Sequence, residues 1–285
     1  MTSLNISLLL LAVPTWLVHC ALAVVVPLLM YLLYKIITSK KHPEIIRYEP
    51  EKFYKSSSGK LLRFPNVMDA ATVRLSLVVP SYNEEERLPV MMEETLAFLE
   101  KQDYSYEVIV VDDGSKDTTS AVAYAYTEKY GDDKVRVLTL AKNRGKGGAV
   151  RLGMMSTRGE YALMVDADGA TRFSDLSKVF EAIDELKGAE RIAVGSRSHL
   201  EGDSIAERSF LRTVLMKGFH LIVWAFCVRS VCDTQCGFKL LTRDAVRACF
   251  LNLHVERWAF DVELLYIAVH LYIACRRGGR SLAGD

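Results

Sequence analysis

The sequence has almost no excess of either charge sign: 36 Lys and Arg stand against 35 Asp and Glu in 285 residues, a formal net charge of +1. A duplex-binding protein shows a clustered basic surplus, so no nucleic acid is expected as a partner. Zinc-binding spacings are lacking too. The six cysteines (Cys20, Cys227, Cys232, Cys236, Cys249, Cys275) are scattered; only Cys232 and Cys236 are close, and their spacing is not that of a zinc knuckle. They read as reduced, mostly buried thiols. No His-Glu-x-x-His pattern occurs, so His220 and His254 are expected as hydrogen-bonded histidines. There is no internal repeat.

One absence is local. From Ile6 to Leu33 there is no Asp, Glu, Lys or Arg, and about 20 such residues suffice for a membrane-spanning helix. A cleaved signal peptide places positive charge before a shorter apolar core, whereas Lys35, Lys40, Lys41 and Arg47 come after this one. Residues 1–37 therefore read as an uncleaved single-pass anchor in a lipid bilayer, with the lysine-bearing flank and all that follows on the cytosolic side. Pro14 and Pro27 are compatible with a kinked span, and a re-entrant hairpin is the alternative. Residues 38–72 are mixed and polar, most linker-like at 56–59, and read as a juxtamembrane connection.

Beyond residue 72, short β-rich apolar runs at 75–79, 107–111, 135–140, 161–165 and 192–194 alternate with helical patterns at 85–100, 118–130, 147–156 and 175–186. Val108-Ile109-Val110-Val111 is apolar at every position, the pattern of a strand covered on both faces. The fold expected over 73–274 is α/β, a doubly wound, mostly parallel sheet with flanking helices. Ligands of such sheets bind beyond the carboxyl ends of the strands, so chemistry is sought there.

The first strand closes in Pro80-Ser81-Tyr82-Asn83-Glu84-Glu85-Glu86, which capping of the next helix would also explain. The second closes in Asp112-Asp113-Gly114; neighbouring strand residues face opposite ways, so one aspartate is expected to be structural. An Asp-Gly turn with Asp117 as helix cap is the plain alternative. After the third strand, 142–149 (KNRGKGGA) opens a helix with glycines and three basic side chains, including Lys146 beside Gly147. Such a loop suits a diphosphate, though it lacks the Walker spacing and also reads as a glycine turn. The fourth strand closes in Asp166-Ala167-Asp168-Gly169, where two carboxylates two residues apart face one way and can share a hard cation.

Taken together, SYNEEERLP, VDDGSKDTT, KNRGKGGA, DADGAT, DTQCGFKL and HVERWAFDVELL resemble the inverting glycosyltransferases of the GT-A fold, most closely the dolichyl-phosphate β-glucosyltransferases of the endoplasmic reticulum. The resemblance runs from about residue 75 to 267. It implies transfer of glucose from UDP-glucose to dolichyl phosphate, giving the lipid-linked glucose donor of N-glycan assembly, in a single-pass protein of the endoplasmic reticulum membrane. It further implies that Pro80, Tyr82, Glu84, Val111 and Asp113 hold the uridine, Asp113 reading the base. Asp166 and Asp168 would hold Mg2+ or Mn2+ and the diphosphate, and Arg197 would neutralise phosphate charge. Asp168 and Arg197 are the residues placed at the catalytic centre.

Two features depart from the family pattern. Ala170 stands where related mannosyltransferases carry Gln, and after the helix containing DVELLYIA the chain closes in CRRGGRSLAGD, so 275–285 reads as a Gly- and Arg-rich tail in place of a further strand and basic segment. Reduced transfer is the expectation that follows. A phosphate-monoester acceptor is already anionic near neutral pH, so no general base is required. Asp261 and Glu263 are open between that role and capping of a helix. The apolar run 221–228 is too short to span a bilayer, and reads either as core or as a surface helix at the headgroup boundary.

Overall fold

Seven consecutive buried residues, Tyr106–Asp112, form a strand paired on both sides within the sheet. The computed structural model describes residues 14–38, 45–167, 173–195 and 236–277, and the chain divides into two units, Met1–Glu44 and Ile45–Asp285. In the first unit, helix α1 (Thr15–Ile37) carries Lys35 as its one charged residue and Pro27 within it. Among the described residues no helix is long and apolar enough to cross a membrane. The apolar run read from Ile6 starts before the described helix, so the anchor stays an expectation of the sequence.

The second unit opens with a short 3₁₀ turn (Glu49–Lys52) and an antiparallel hairpin, β1 (Phe53–Lys55) and β2 (Leu61–Arg63). There follow β3 (Val73–Ser81), α2 (Arg87–Leu99), β4 (Tyr106–Asp112), α3 (Thr119–Tyr130), β5 (Val135–Thr139), α4 (Lys146–Met155) and β6 (Gly159–Met164). The described chain continues with α5 (Leu176–Asp184), β7 (Arg191–Val194), β8 (Lys239–Thr242), α6 (Arg243–Phe250), α7 (Phe260–His270) and β9 (Ala274–Arg277).

The seven-stranded sheet has the order β5-β4-β3-β6-β8-β7-β9. β3 pairs in parallel with β4 and β6, β4 with β5, and β7 with β9; β8 alone runs antiparallel, between β6 and β7. The chain enters at β3, winds outward to β5, then returns to the other side of β3. That reversal opens a crevice at the carboxyl ends of β3, β4 and β6, where a doubly wound sheet binds its ligand. Leu77, Val79, Ile109, Val111 and Leu163 are fully inaccessible beneath it.

The opposite end of the sheet is tied by charge. Glu107, fully buried, takes Arg136 at 2.6 Å and Arg158 at 3.2 Å on Oε2, while Ser76 donates to its Oε1. Arg243 reaches back to the carbonyls of Asp69, Thr157 and Gly159.

Two expected boundaries shift. Residues 45–72 are no loose connection: Tyr54, Phe64 and Val67 are buried in the core, because the hairpin supplies an apolar face that the polar composition of the segment conceals. Nor does the folded part stop at 274. Residues 275–277 belong to β9, whose register runs Ile192↔Cys275, Ala193↔Arg276 and Val194↔Arg277. Strand pairing is a backbone matter, so the arginines are accommodated at this edge position, Arg276 forming an ion pair with Glu185 on the outside.

Candidate active site

A cleft of about 230 Å³ lies at the crevice, lined by Pro80, Ser81, Tyr82, Glu84, Asp113, Lys146, Ala149, Asp166 and Ala167. Six residues expected from the strand ends thus meet in one place: Pro80, Tyr82, Glu84, Asp113, Lys146 and Asp166. Each arrives because β3, β4 and β6 end side by side and the first residue of α4 follows the loop after β5.

The two loops at the ends of β3 and β4 are laced together. Asn83, at φ 54°, donates its N–H to Ser115 Oγ at 3.0 Å and accepts from Lys116 N–H at 2.9 Å. The N–H of Glu84 donates to Thr119 Oγ1 at 2.8 Å, and the Glu85 carboxylate accepts the N–H of Thr118 at 2.9 Å. Asp112 is the structural member of the aspartate pair: its Oδ1 accepts from Ser115 N–H at 2.9 Å and its Oδ2 from the Ser120 hydroxyl.

Asp113 is the member that faces the cleft. Its Oδ1 accepts from the N–H of Arg144 at 2.7 Å and its Oδ2 from that of Gly145 at 2.8 Å. A carboxylate offers about four acceptor positions, so capacity remains for a donor from a ligand. Burial pushes its pKa above the ordinary value; the two N–H groups oppose the rise and the charge of Asp112 adds to it. Gly145 permits the turn at φ 81°, and a side chain there would meet the carbonyl of Glu256 at 2.9 Å.

Across the cleft, Lys146 Nζ pairs with Asp166 Oδ1 at 2.6 Å. A Cβ on Gly237 would fall 2.0 Å from Asp166 Oδ2, so this glycine makes the room in which the carboxylate sits. Behind Asp166, Lys239 Nζ pairs with Asp261 Oδ1 at 2.5 Å and donates to the Cys236 carbonyl at 2.6 Å, both ionisable groups being buried. Burial raises the Asp261 pKa, ahead of the opposing pull of Lys239 and Lys146, and the charge of Asp166 adds to the rise.

Other expected residues stand elsewhere. Val111 is fully buried, its Cγ2 facing Gly153 in the core, and does not line the cleft. A Cβ on Gly147 would meet the Val255 carbonyl at 2.5 Å and Phe260 Cβ at 2.6 Å, so the glycine serves close packing of α4. Glu263 accepts the N–H groups of His254 and Val255 at 2.9 and 2.6 Å, a loop-fastening role. Asp168, Ala170, Arg197, Cys227, Cys232, His220 and the run 221–228 lie outside the described residues. Among the described residues no group of three His, Cys, Asp or Glu is placed to hold a metal ion. Asp166 is the one member of the expected metal pair that is described, a hard oxygen donor of the kind Mg2+ and Mn2+ take.

Residues 76–250 match glycosyl transferase family 2. The chain is 58% identical over 239 residues to the human dolichyl-phosphate β-glucosyltransferase, covering 81% of this chain and 74% of that protein. It belongs to this family of glycosyltransferases. To the Drosophila melanogaster dolichyl-phosphate β-glucosyltransferase the identity is 54%, covering 82% of this chain and 74% of the relative; to that of Saccharomyces cerevisiae it is 39%, covering 80% and 72%. The activity of the chain is accordingly that of a dolichyl-phosphate β-glucosyltransferase. Among solved structures, it is similar to glucosyl-3-phosphoglycerate synthase from Mycobacterium tuberculosis bound to UDP, with a TM-score of 0.49, 16% identity and coverage of 72% and 70%. The same enzyme solved with Mn2+, UDP-glucose and phosphoglyceric acid gives a TM-score of 0.48 at 16% identity, covering 72% and 69%.

Proposed function

We propose that the cleft binds UDP-glucose and that the chain transfers its glucose to dolichyl phosphate with inversion, making the lipid-linked glucose donor for N-glycan assembly. The observation that carries the reading is the convergence on one cleft of Asp113, held by the N–H groups of Arg144 and Gly145, and the Lys146–Asp166 ion pair. A nucleoside presents ring N–H groups that a carboxylate accepts. A diphosphate presents anionic oxygens that suit a lysine at a helix start.

Asp166, with Asp168 beside it in sequence, would hold Mg2+ or Mn2+, which when bound stabilises the charge growing on the departing UDP. The chain's own part is positional. Asp113 orients the base, Tyr82 and Pro80 wall the nucleoside, and Lys146 brings positive charge to the phosphate side. Arg197 is proposed to neutralise further phosphate charge. The acceptor phosphate attacks the anomeric carbon from the face opposite UDP, so an α-linked donor gives a β-linked product. With a second pKa near ~6, that phosphate is its own anion at neutral pH and needs no proton removed. Asp261 is in any case committed to Lys239.

The charge-free run 6–33 followed by Lys35, Lys40 and Lys41 supports a single-pass anchor with the catalytic unit cytosolic, and the endoplasmic reticulum is the membrane that the family resemblance implies. Protease added outside sealed microsomes is expected to digest that unit, and its full protection would refute the orientation. For the donor, UDP-glucose is expected to displace labelled UDP from the full chain in membranes while GDP-mannose does not. Displacement by GDP-mannose alone would reassign the sugar nucleotide.

A further inference from the structure

Glu51 falls in a segment whose composition reads as a connection, yet none of its surface is exposed. Both carboxylate oxygens are fully engaged. Oε1 accepts from Ala141 N–H at 3.0 Å and Arg144 Nη2 at 3.2 Å; Oε2 accepts from Tyr48 N–H at 2.9 Å and Arg144 Nη2 at 3.0 Å. The Tyr48 ring adds to the grip, its centroid lying 5.0 Å from the Arg144 guanidinium carbon and 5.5 Å from the Lys142 ammonium. One carboxylate therefore closes its own 3₁₀ turn and seizes the loop between β5 and α4 at two points three residues apart.

That loop is the one that builds the cleft. Arg144 gives its side chain to Glu51 and its backbone N–H to Asp113; Gly145 gives the second N–H to Asp113; Lys146 pairs with Asp166. Arg144 has a second partner at the same time, its Nη1 lying 3.6 Å from Glu256 Oε1. With Glu51 weakened, the guanidinium can turn toward Glu256 and carry the loop with it. A loop no longer fixed by Glu51 is expected to spend part of its time in arrangements that do not bind, and affinity falls in proportion to the share that remains competent.

We propose that Glu51 is a positioning residue of the donor site, acting through Arg144 and the loop at 141–146 to set Asp113 and Lys146 for a nucleoside diphosphate. The inference rests on the reading of the cleft as the UDP-sugar site. It assigns to the 3₁₀ turn before the hairpin a part in donor binding that neither its composition nor its distance in sequence from the cleft would suggest.

The test is calorimetric titration of UDP with Mg2+ into the full chain in detergent, for wild type, Glu51→Gln, Arg144→Lys and Arg243→Lys, each below its melting temperature and at matched folded concentration. Arg243 is a buried arginine bound to carbonyls at the far end of the sheet, so its lysine variant reports lost stability alone. Glu51→Gln and Arg144→Lys are expected to weaken UDP about 10-fold, the effect of a competent share falling to about a tenth. The KM for UDP-glucose should rise in step, with kcat within about threefold, the signature of lost ground-state binding. Arg243→Lys should leave UDP affinity unchanged, and Glu51→Gln added to Asp113→Asn should cost little more than Asp113→Asn alone. Wild-type UDP affinity in Glu51→Gln, or an equal loss in Arg243→Lys, would overturn the proposal. No UDP binding by the wild type would instead overturn the donor-site reading beneath it, and the proposal with it.

Discussion

Gly237→Ala tests how closely the Asp166 carboxylate is built into its place. The added methyl would lie 2.0 Å from Oδ2, 2.4 Å from Cγ and 2.9 Å from Oδ1 of Asp166, well inside carbon–oxygen van der Waals contact. Gly237 has no positive φ, so alanine meets no backbone penalty there. The carboxylate must rotate away, and because it stands past the end of β6 the fold tolerates the movement. What is lost is the 2.6 Å contact with Lys146 and the oxygen proposed for the metal. A charge-assisted hydrogen bond is worth about 1.5–3 kcal/mol, equivalent to a loss of roughly 10- to 150-fold in affinity. Titration of UDP with and without Mn2+, alongside a thermal melt, reads both quantities. The expected result is a melt close to wild type with metal-dependent UDP affinity reduced by that factor. Unchanged metal-dependent affinity in a folded Gly237→Ala protein would refute the reasoning.

Asp168→Ala is expected to abolish transfer and greatly weaken metal-dependent UDP binding with the fold intact; unchanged metal-dependent affinity would count against its role. Asp113 has a folded pKa raised by burial above its unfolded value near ~3.9, so stability from this group is present below that value and lost as pH climbs through the folded pKa. UDP affinity should move the opposite way across the same window, rising as Asp113 ionises, and Asp113→Asn should remove both trends, as denaturation and titration at stepped pH would reveal. Glu107→Gln strips charge from a buried partner of Arg136 and Arg158 and should lower stability by about 3–5 kcal/mol in denaturant melts, leaving UDP affinity of the folded protein unaltered. Asp261→Asn should destabilise by orphaning Lys239 yet keep substantial turnover in the folded protein at pH 7.5; a fall beyond about 10³-fold would argue for a general base.

What the residues disclosed in advance follows from how local the signal was. The all-apolar β4 and the alternation of strands and helices were legible because burial on both faces leaves no polar position to hide the pattern. The split between Asp112 and Asp113 was legible as a split, since strand alternation forbids both from facing one ligand. Which of them serves structure required the hydroxyl of Ser120 and the N–H groups of Arg144 and Gly145 to be seen in place. Glu51 was not legible, because its partner stands 93 residues away and a polar segment does not announce a buried carboxylate. Gly237 and the Lys239–Asp261 pair were hidden for the same reason: they meet Asp166 only once β8 lies antiparallel beside β6. β9 escaped because its arginines mask an edge strand that pairs through backbone alone, and the packing need at Gly147 was hidden because Val255 and Phe260 lie more than 100 residues further along the chain.

Transfer itself is the most direct measurement. Membranes carrying the full chain are incubated with UDP-glucose labelled in the sugar, dolichyl phosphate and Mg2+, and the lipid product is isolated and its anomeric configuration determined. The expected product is dolichyl β-glucosyl phosphate, formed by the wild type and lost in Asp168→Ala. An α-linked product, or transfer from GDP-mannose with none from UDP-glucose, would contradict the assignment of this cleft as an inverting UDP-glucose site.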